Sequence, residues 1–226
     1  MRALFITATG TGVGKTLVTC ALAWQLRRQG HRVKVLKPLV SGYDARNAGG
    51  SDPHLILEAL DQPISPAGID RVSPFRFAAP LAPDAAAARE DRKIDFEALV
   101  DYCQKAMSWD ADYLLIEGIG GAFVPLAGDR TIADWIEALQ VPAILVASNY
   151  LGCLSHTIAT VEAMRARNLP VAGVIINDAT GDALSLADSA TALTPFLGDI
   201  PITGIPHLSP SPKLWRQVPR IGIGLS

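Results

Sequence analysis

Between residues 3 and 16 the chain reads Ala-Leu-Phe-Ile-Thr-Ala-Thr-Gly-Thr-Gly-Val-Gly-Lys-Thr: an apolar run, a glycine-rich turn, and Gly14-Lys15-Thr16 at the head of a periodic stretch over 17–26. A buried strand that feeds a helix through such a turn belongs in a parallel sheet covered by helices, which excludes most other architectures. Glycine lets successive backbone N–H groups close around an anion. Lys15 then brings a mobile positive charge to the β/γ-phosphates of a nucleoside triphosphate. Thr16 offers a hydroxyl to Mg²⁺, and the helix start adds its dipole. The position five residues before Gly14 is Thr9 rather than glycine, a departure from the strict loop pattern. An ordinary strand–turn–helix corner is the structural alternative.

Short apolar or β-branched runs at 33–36, 113–116, 143–147 and 171–176 read as further buried parallel strands, with helices over 96–107, 132–139 and 154–167 between them. The expected fold is α/β: a mostly parallel sheet with helices on both faces. With 226 residues, of which 49% are hydrophobic, residues 1–226 can bury one sizeable core, so a single domain is expected. Segments 41–50 and 78–91, the latter rich in Ala, Pro and Asp, read as loops covering the site. From about 207 the chain reads as an irregular, proline-rich tail crossing the surface. The net charge of -2 and the scattered Lys and Arg residues give no footprint for nucleic acid or an anionic membrane, so neither is expected as a partner. Cys20, Cys103 and Cys153 lack metal-ligand spacing and read as buried thiols. No signal-peptide pattern or apolar run of spanning length is visible, and a cytoplasmic protein is expected.

Several strands end in a polar residue. In open parallel sheets the ligand crevice lies at the carboxyl ends of the strands, so these residues should converge beside the phosphate loop. Lys37, after the second strand, is either a solvated cation or a second charge acting on a moving phosphoryl group. Asp52, in Ser51-Asp52-Pro53, serves equally as a helix start. Glu117 closes an apolar strand and opens Glu-Gly-Ile-Gly-Gly, the place for a carboxylate that organises Mg²⁺. Asn177 and Asp178 suit a turn, while the asparagine amide also suits the edge of a purine ring. The helix start near Cys153 is a candidate carboxylate cradle, although glycine before a helix is common for structural reasons. Trp24 and Trp135 read as core.

Taken in order, the phosphate loop, Lys37-Pro38-Leu39-Val40-Ser41-Gly42, Ser51-Asp52, Glu117-Gly118-Ile119-Gly120-Gly121, Leu151-Gly152-Cys153 and Asn177-Asp178 resemble the dethiobiotin synthetase family, from residue 7 to about 208. The loop is shared with many nucleotidases, whereas the Lys-Pro-x-x-Ser-Gly and Glu-Gly-x-Gly-Gly blocks are the specific part. The resemblance implies a homodimeric, cytosolic P-loop enzyme that joins 7,8-diaminononanoate and CO2 into dethiobiotin, driven by ATP with Mg²⁺. It further implies catalytic roles for Lys37, Lys15 and Thr11, with Thr11 and Ser41 hydrogen-bonding the carbamate and diamine. Thr16, Asp52 and Glu117 would hold the metal. The nucleotide would lie against Gly12, Val13, Gly14, Lys15, Thr16, Leu17, Asp52, Glu117, Gly118, Ile119 and Gly120. Asn177 and Asp178 would meet its base, and Pro206, His207 and Leu208 would close over it. Leu151, Gly152, Cys153 and Ser155, from the partner subunit, would receive the substrate's far carboxylate.

The chain departs from the commonest family pattern at Ala8, Gly10, Gly12 and Ser155, where glycine, an acidic residue, glutamate and asparagine are frequent. Gly12 removes a carboxylate from the nucleotide pocket, so relaxed selectivity for the base is expected. Two rival classes share the superfamily. Partitioning-type switch ATPases carry an additional lysine at the position of Gly10, and cobyrinate-type amide-forming synthetases normally add a glutaminase domain for which 226 residues leave no room.

Overall fold

In the computed structural model, which describes residues 1–179 and 184–222, strands and helices alternate along the chain. The first half runs β1 (Arg2–Ala8), α1 (Lys15–Arg28), β2 (Val33–Leu36), β3 (Leu39–Ser41), α2 (Asp52–Ala59), α3 (Pro66–Val72), β4 (Phe75–Phe77), α4 (Pro83–Ala88) and α5 (Phe96–Ala106). The second half runs β5 (Tyr113–Glu117), β6 (Pro125–Ala127), β7 (Arg130–Thr131), α6 (Ile132–Leu139), β8 (Ala143–Ser148), α7 (Cys153–Ala166), β9 (Val171–Asn177), α8 (Leu186–Leu197) and β10 (Ile202–Ile205).

Among the described residues the main sheet has six strands in the order β10-β9-β8-β1-β5-β2, and every pairing in it is parallel. β1 lies inside the sheet, with Ile6 level with Glu117 of β5 on one side and with Ile144 of β8 on the other. A strand buried on both faces is apolar at nearly every position, Thr7 being the buried polar residue of β1. Leu4, Ile6 and Ala8 therefore enter the core beneath α1, while Phe5 points to the opposite core and meets Trp135 edge-on at 4.9 Å. β5 divides in the same way, Leu115 to one face and Leu114 and Ile116 to the other. Each fully buried leucine or isoleucine side chain contributes about 1.5–3 kcal/mol relative to exposure.

The strands and helices read from the sequence are present, with ends shifted by a residue or so, and the three cysteines are buried thiols. One loop reading needs correction, and the other loop holds a short turn. Within 78–91 the chain forms α4, because Pro83 sits at its first position, where no N–H is needed, and the following alanines are strong helix formers that bury Ala86 and Ala87. Within 41–50 a short 3-10 turn, Ala45–Asn47, is capped by the Asp44 side chain on the Arg46 N–H.

The tail from 207 also does more than cross the surface. A 3-10 turn at Leu214–Gln217 buries Trp215, and Val218 and Ile221 join the core beneath α1. Gln25 of α1 clasps the segment, its amide donating to the Val218 and Pro219 carbonyls at 3.1 and 3.0 Å and its oxygen accepting from the Ile221 N–H at 3.0 Å. Residues 223–226 of the tail lie outside the described residues. No helix among the described residues is long and apolar enough to cross a membrane.

Candidate active site

Parallel pairing places the carboxyl ends of β1, β2, β5, β8 and β9 on one side of the sheet, and the candidate polar residues follow those ends. After β1 the chain turns through residues 9–14 into α1, with Gly14 at the helix start in a left-handed conformation (φ 102°). A side chain at Gly14 would be strained there, and its Cβ would stand 2.3 Å from Asn177 Nδ2. Asn177, at the end of β9, donates from that nitrogen to the Val13 carbonyl at 3.1 Å and so pins the loop from below. The first turn of α1 carries no acidic residue, which leaves its positive end to an anion.

A cleft of about 340 Å³ opens above the loop. Thr11, Gly12, Gly14, Lys15, Thr16 and Leu17 line it on one side, with Lys37, Val40, Ser41, Asp52, Ile119 and Gly120 around the rest. Lys15 is buried, and its Nζ donates to the carbonyls of Gly120 at 2.7 Å and Gly10 at 3.2 Å, tying the phosphate loop to the segment after β5. Burial and the neighbouring Lys37 charge push the Lys15 ammonium down to about 8, against the opposing pull of Glu117 and Asp52.

Lys37 and Glu117, at the ends of adjacent strands β2 and β5, form a buried ion pair at 2.6 Å. Asp52 completes the group, its Oδ2 2.9 Å from the lysine nitrogen. Burial alone would lower the Lys37 ammonium, but the two carboxylates together hold it above the ordinary lysine range. Burial likewise pulls the Asp52 carboxyl upward, and Lys37, Thr16 and Lys15 outweigh it to hold that group below the usual carboxylate range. Asp52 occupies the first position of α2, Ser51 being the N-cap, and its carboxylate turns into the cleft rather than capping the helix.

Thr16 Oγ1 stands 2.8 Å from Asp52 Oδ1 and 2.7 Å from Glu117 Oε1. One hydroxyl has one proton and can donate to only one of these acceptors at a time, so three oxygens crowd a point that suits a cation. Glu117 Oε2 is buried with no hydrogen-bond partner. Among the described residues no three His, Cys, Asp or Glu side chains gather in one place. The donor set is therefore two carboxylates and a hydroxyl, a partial shell of hard oxygens that fits Mg²⁺ completed by water and phosphate.

Other expected residues stand apart from this cleft. Val13 is buried under the loop, and Gly118 offers its carbonyl to Lys37 at 3.2 Å. Asp178 and the segment from Pro206 lie at the ends of β9 and β10, joined by the Asp178 N–H to the Ile205 carbonyl at 2.9 Å. His207 reaches the Ala179 carbonyl at 2.9 Å, and Leu208 packs against the core. Leu151 precedes α7, Gly152 is its N-cap, and Cys153 and Ser155 lie in its first turn. Leu151 is fully exposed, Ser155 is exposed, and Cys153 is buried beside Asn149. Asn149 itself ties β8 to the start of α8, donating to the Leu184 carbonyl at 2.6 Å and accepting from Ser189 at 3.1 Å. Sequence reasoning missed Val40 as a lining residue and the Gly10 carbonyl as a Lys15 partner; their place inside the two recognised motifs was the available signal.

The family described as an AAA domain matches residues 2–214. Among solved structures, the MinC:MinD cell division complex of Aquifex aeolicus superposes with a TM-score of 0.57 at 17% identity, covering 96% of this chain and 86% of that one. The septum site-determining protein MinD of Pyrococcus horikoshii, complexed with Mg-ADP, gives 0.52 at 20% identity with the same coverages. These distant likenesses show the fold, a mostly parallel sheet of the P-loop NTPase type. An ATP-dependent dethiobiotin synthetase BioD from Caulobacter sp. strain K31 is 40% identical over 216 residues, 95% of this chain and 90% of that protein. Its namesake from Phenylobacterium zucineum is 38% identical over 92% of this chain and 89% of its own length. A third, from Acidiphilium cryptum, is 42% identical over 78% and 80%. Because relatives this similar match along nearly their whole length, the chain belongs to the family of ATP-dependent dethiobiotin synthetases.

Proposed function

We propose that residues 1–226 act as one synthetase domain that closes a ureido ring on 7,8-diaminononanoate with CO2, converting ATP to ADP and phosphate. The observation that carries this reading is the meeting of Lys15, Thr16, Lys37, Asp52 and Glu117 around one cleft in a chain of this family. One amine of the substrate adds to CO2 and loses a proton, giving a carbamate. A carbamate oxygen takes the γ-phosphoryl group and ADP leaves. The second amine then attacks the carbamate carbon and expels phosphate as the ring closes. The protein's part is positioning and charge stabilisation.

In this reading Lys15 and Lys37 flank the carbamate and γ-phosphate, and Thr11 and Ser41 orient the carbamate and diamine. Thr16, Asp52 and Glu117 would hold Mg²⁺, which when bound neutralises charge on the phosphates. Asn177 and Asp178 would border the base, with Pro206, His207 and Leu208 above the nucleotide. The wholly exposed Leu151, beside a helix start with no acidic residue in its first turn, supports a homodimer in which the partner's segment 151–155 receives the substrate carboxylate. A cytoplasmic site suits an ATP-driven reaction and three unpaired thiols. Purified protein should release phosphate only when diaminononanoate, bicarbonate, Mg²⁺ and ATP are all present; release that ignores the diamine would overturn the reading.

A further inference from the structure

Lys37 Nζ donates to Glu117 Oε1 at 2.6 Å and to the Gly118 carbonyl at 3.2 Å, and pairs with the Asp52 carboxylate, whose Oδ2 stands 2.9 Å away. Two carboxylates and a carbonyl thus hold the ammonium inside the pocket. Yet Lys37 also borders the cleft, where its charge would have to meet a carbamate or phosphate. The same Glu117 Oε1 faces Thr16 Oγ1 at 2.7 Å, and Asp52 gives one oxygen to Lys37 and the other to Thr16. A cation held by Thr16, Asp52 and Glu117 would share Glu117 Oε1 with the ammonium, and two positive centres that close in a desolvated pocket repel strongly.

We propose that the Lys37 ammonium and a metal ion compete for Glu117 Oε1, and that metal binding displaces the ammonium into the cleft. The inference rests on the metal reading given under Proposed function. Lysine suits the part, being a compact charge on a flexible four-carbon stem. Glu117 Oε2, buried and unpartnered, gives the carboxylate a second oxygen for the incoming ion. Metal and lysine then compete when nucleotide is absent. A triphosphate relieves the competition by offering the displaced ammonium a new anionic partner, so metal and nucleotide bind cooperatively and catalytic charge reaches the cleft only when the metal is in place.

The test has two arms. Mn²⁺ titrated into nucleotide-free protein and followed by its electron paramagnetic resonance should bind Lys37→Met about tenfold more tightly than wild type, a coupling of ordinary size. Equal affinities would overturn the proposal. The second arm needs no variant: crystals of wild type with Mn²⁺ and a non-hydrolysable ATP analogue should show anomalous density at Thr16, Asp52 and Glu117, with Lys37 Nζ beyond hydrogen-bond reach of Glu117. Metal at those residues with Lys37 still bonded to Glu117 would overturn the displacement alone. Metal found elsewhere would overturn both the displacement and the metal reading beneath it.

Discussion

Lys37 Nζ and Glu117 Oε1 stand 2.6 Å apart although 80 residues separate them in the chain, because β2 and β5 run side by side and both end at the cleft floor. The pair joins the sheet's interior to the reacting groups, since Glu117 also meets Thr16 of the phosphate loop.

If the Lys37 charge acts on the transferring phosphoryl group, Lys37→Ala should lower kcat by about 10²–10³-fold, the usual effect of losing one preorganised electrostatic contact. Nucleotide affinity, measured by calorimetry, should change far less. Unchanged turnover would remove Lys37 from the mechanism.

Stability should show the other side of the same contact. Glu117→Gln weakens a buried pair while Asp52 still faces the ammonium, and should cost about 1.5–3 kcal/mol in urea unfolding. Replacing both with apolar residues, Lys37→Met with Glu117→Leu, should recover most of that loss while leaving no activity. A double variant no more stable than Glu117→Gln would show that the pair is not the source of the penalty.

Acid should weaken the fold through Asp134. Its carboxylate accepts from the Thr131 N–H and hydroxyl at 2.7 and 2.6 Å and from Arg167 at 2.8 Å. Burial raises this carboxyl, but Arg167 and Thr131 outweigh it and hold it well below the usual range. The unfolded chain, with an ordinary aspartate pKa of about 3.9, then binds the proton first as pH falls. The stabilisation is therefore full at neutral pH and is lost below about pH 4 as pH drops toward the folded value. Asp134→Asn should cost about 1 kcal/mol at pH 7, and urea midpoints should show the gap to wild type closing in acid. A gap independent of pH would exclude the charge as its cause.

The strands were readable because a parallel strand buried on both faces is an unbroken apolar run, and the carboxyl-end rule led from those runs to Lys37, Glu117 and Asn177. Other features had no local signal. The Ala-Pro-Asp composition of α4 suits a loop as well as a helix, and only the burial of Ala86 and Ala87 decides between them. Trp215, Val218 and Ile221 follow no helical or strand period, so their docking on α1 depends on Gln25, nearly two hundred residues earlier. The Asn177 amide was legible as a polar strand end but not as a pin under the loop, because its partner Val13 is brought to it only by the folded sheet.

Gly12 is exposed at the rim of the cleft with φ 74°, and no atom stands within 4 Å of where its Cβ would be. With no side chain there to select the base, GTP and CTP should support turnover with kcat/KM within about tenfold of ATP, less than about 1.4 kcal/mol of discrimination. Steady-state assays with each triphosphate check this, and strict dependence on ATP would contradict it.

The central claim is tested most directly by incubating the protein with 7,8-diaminononanoate, ATP, Mg²⁺ and ¹³C-bicarbonate and analysing the product by mass spectrometry. The account predicts dethiobiotin carrying the label at its ureido carbon, formed only when triphosphate is present. Hydrolysis of ATP with no labelled dethiobiotin would contradict it.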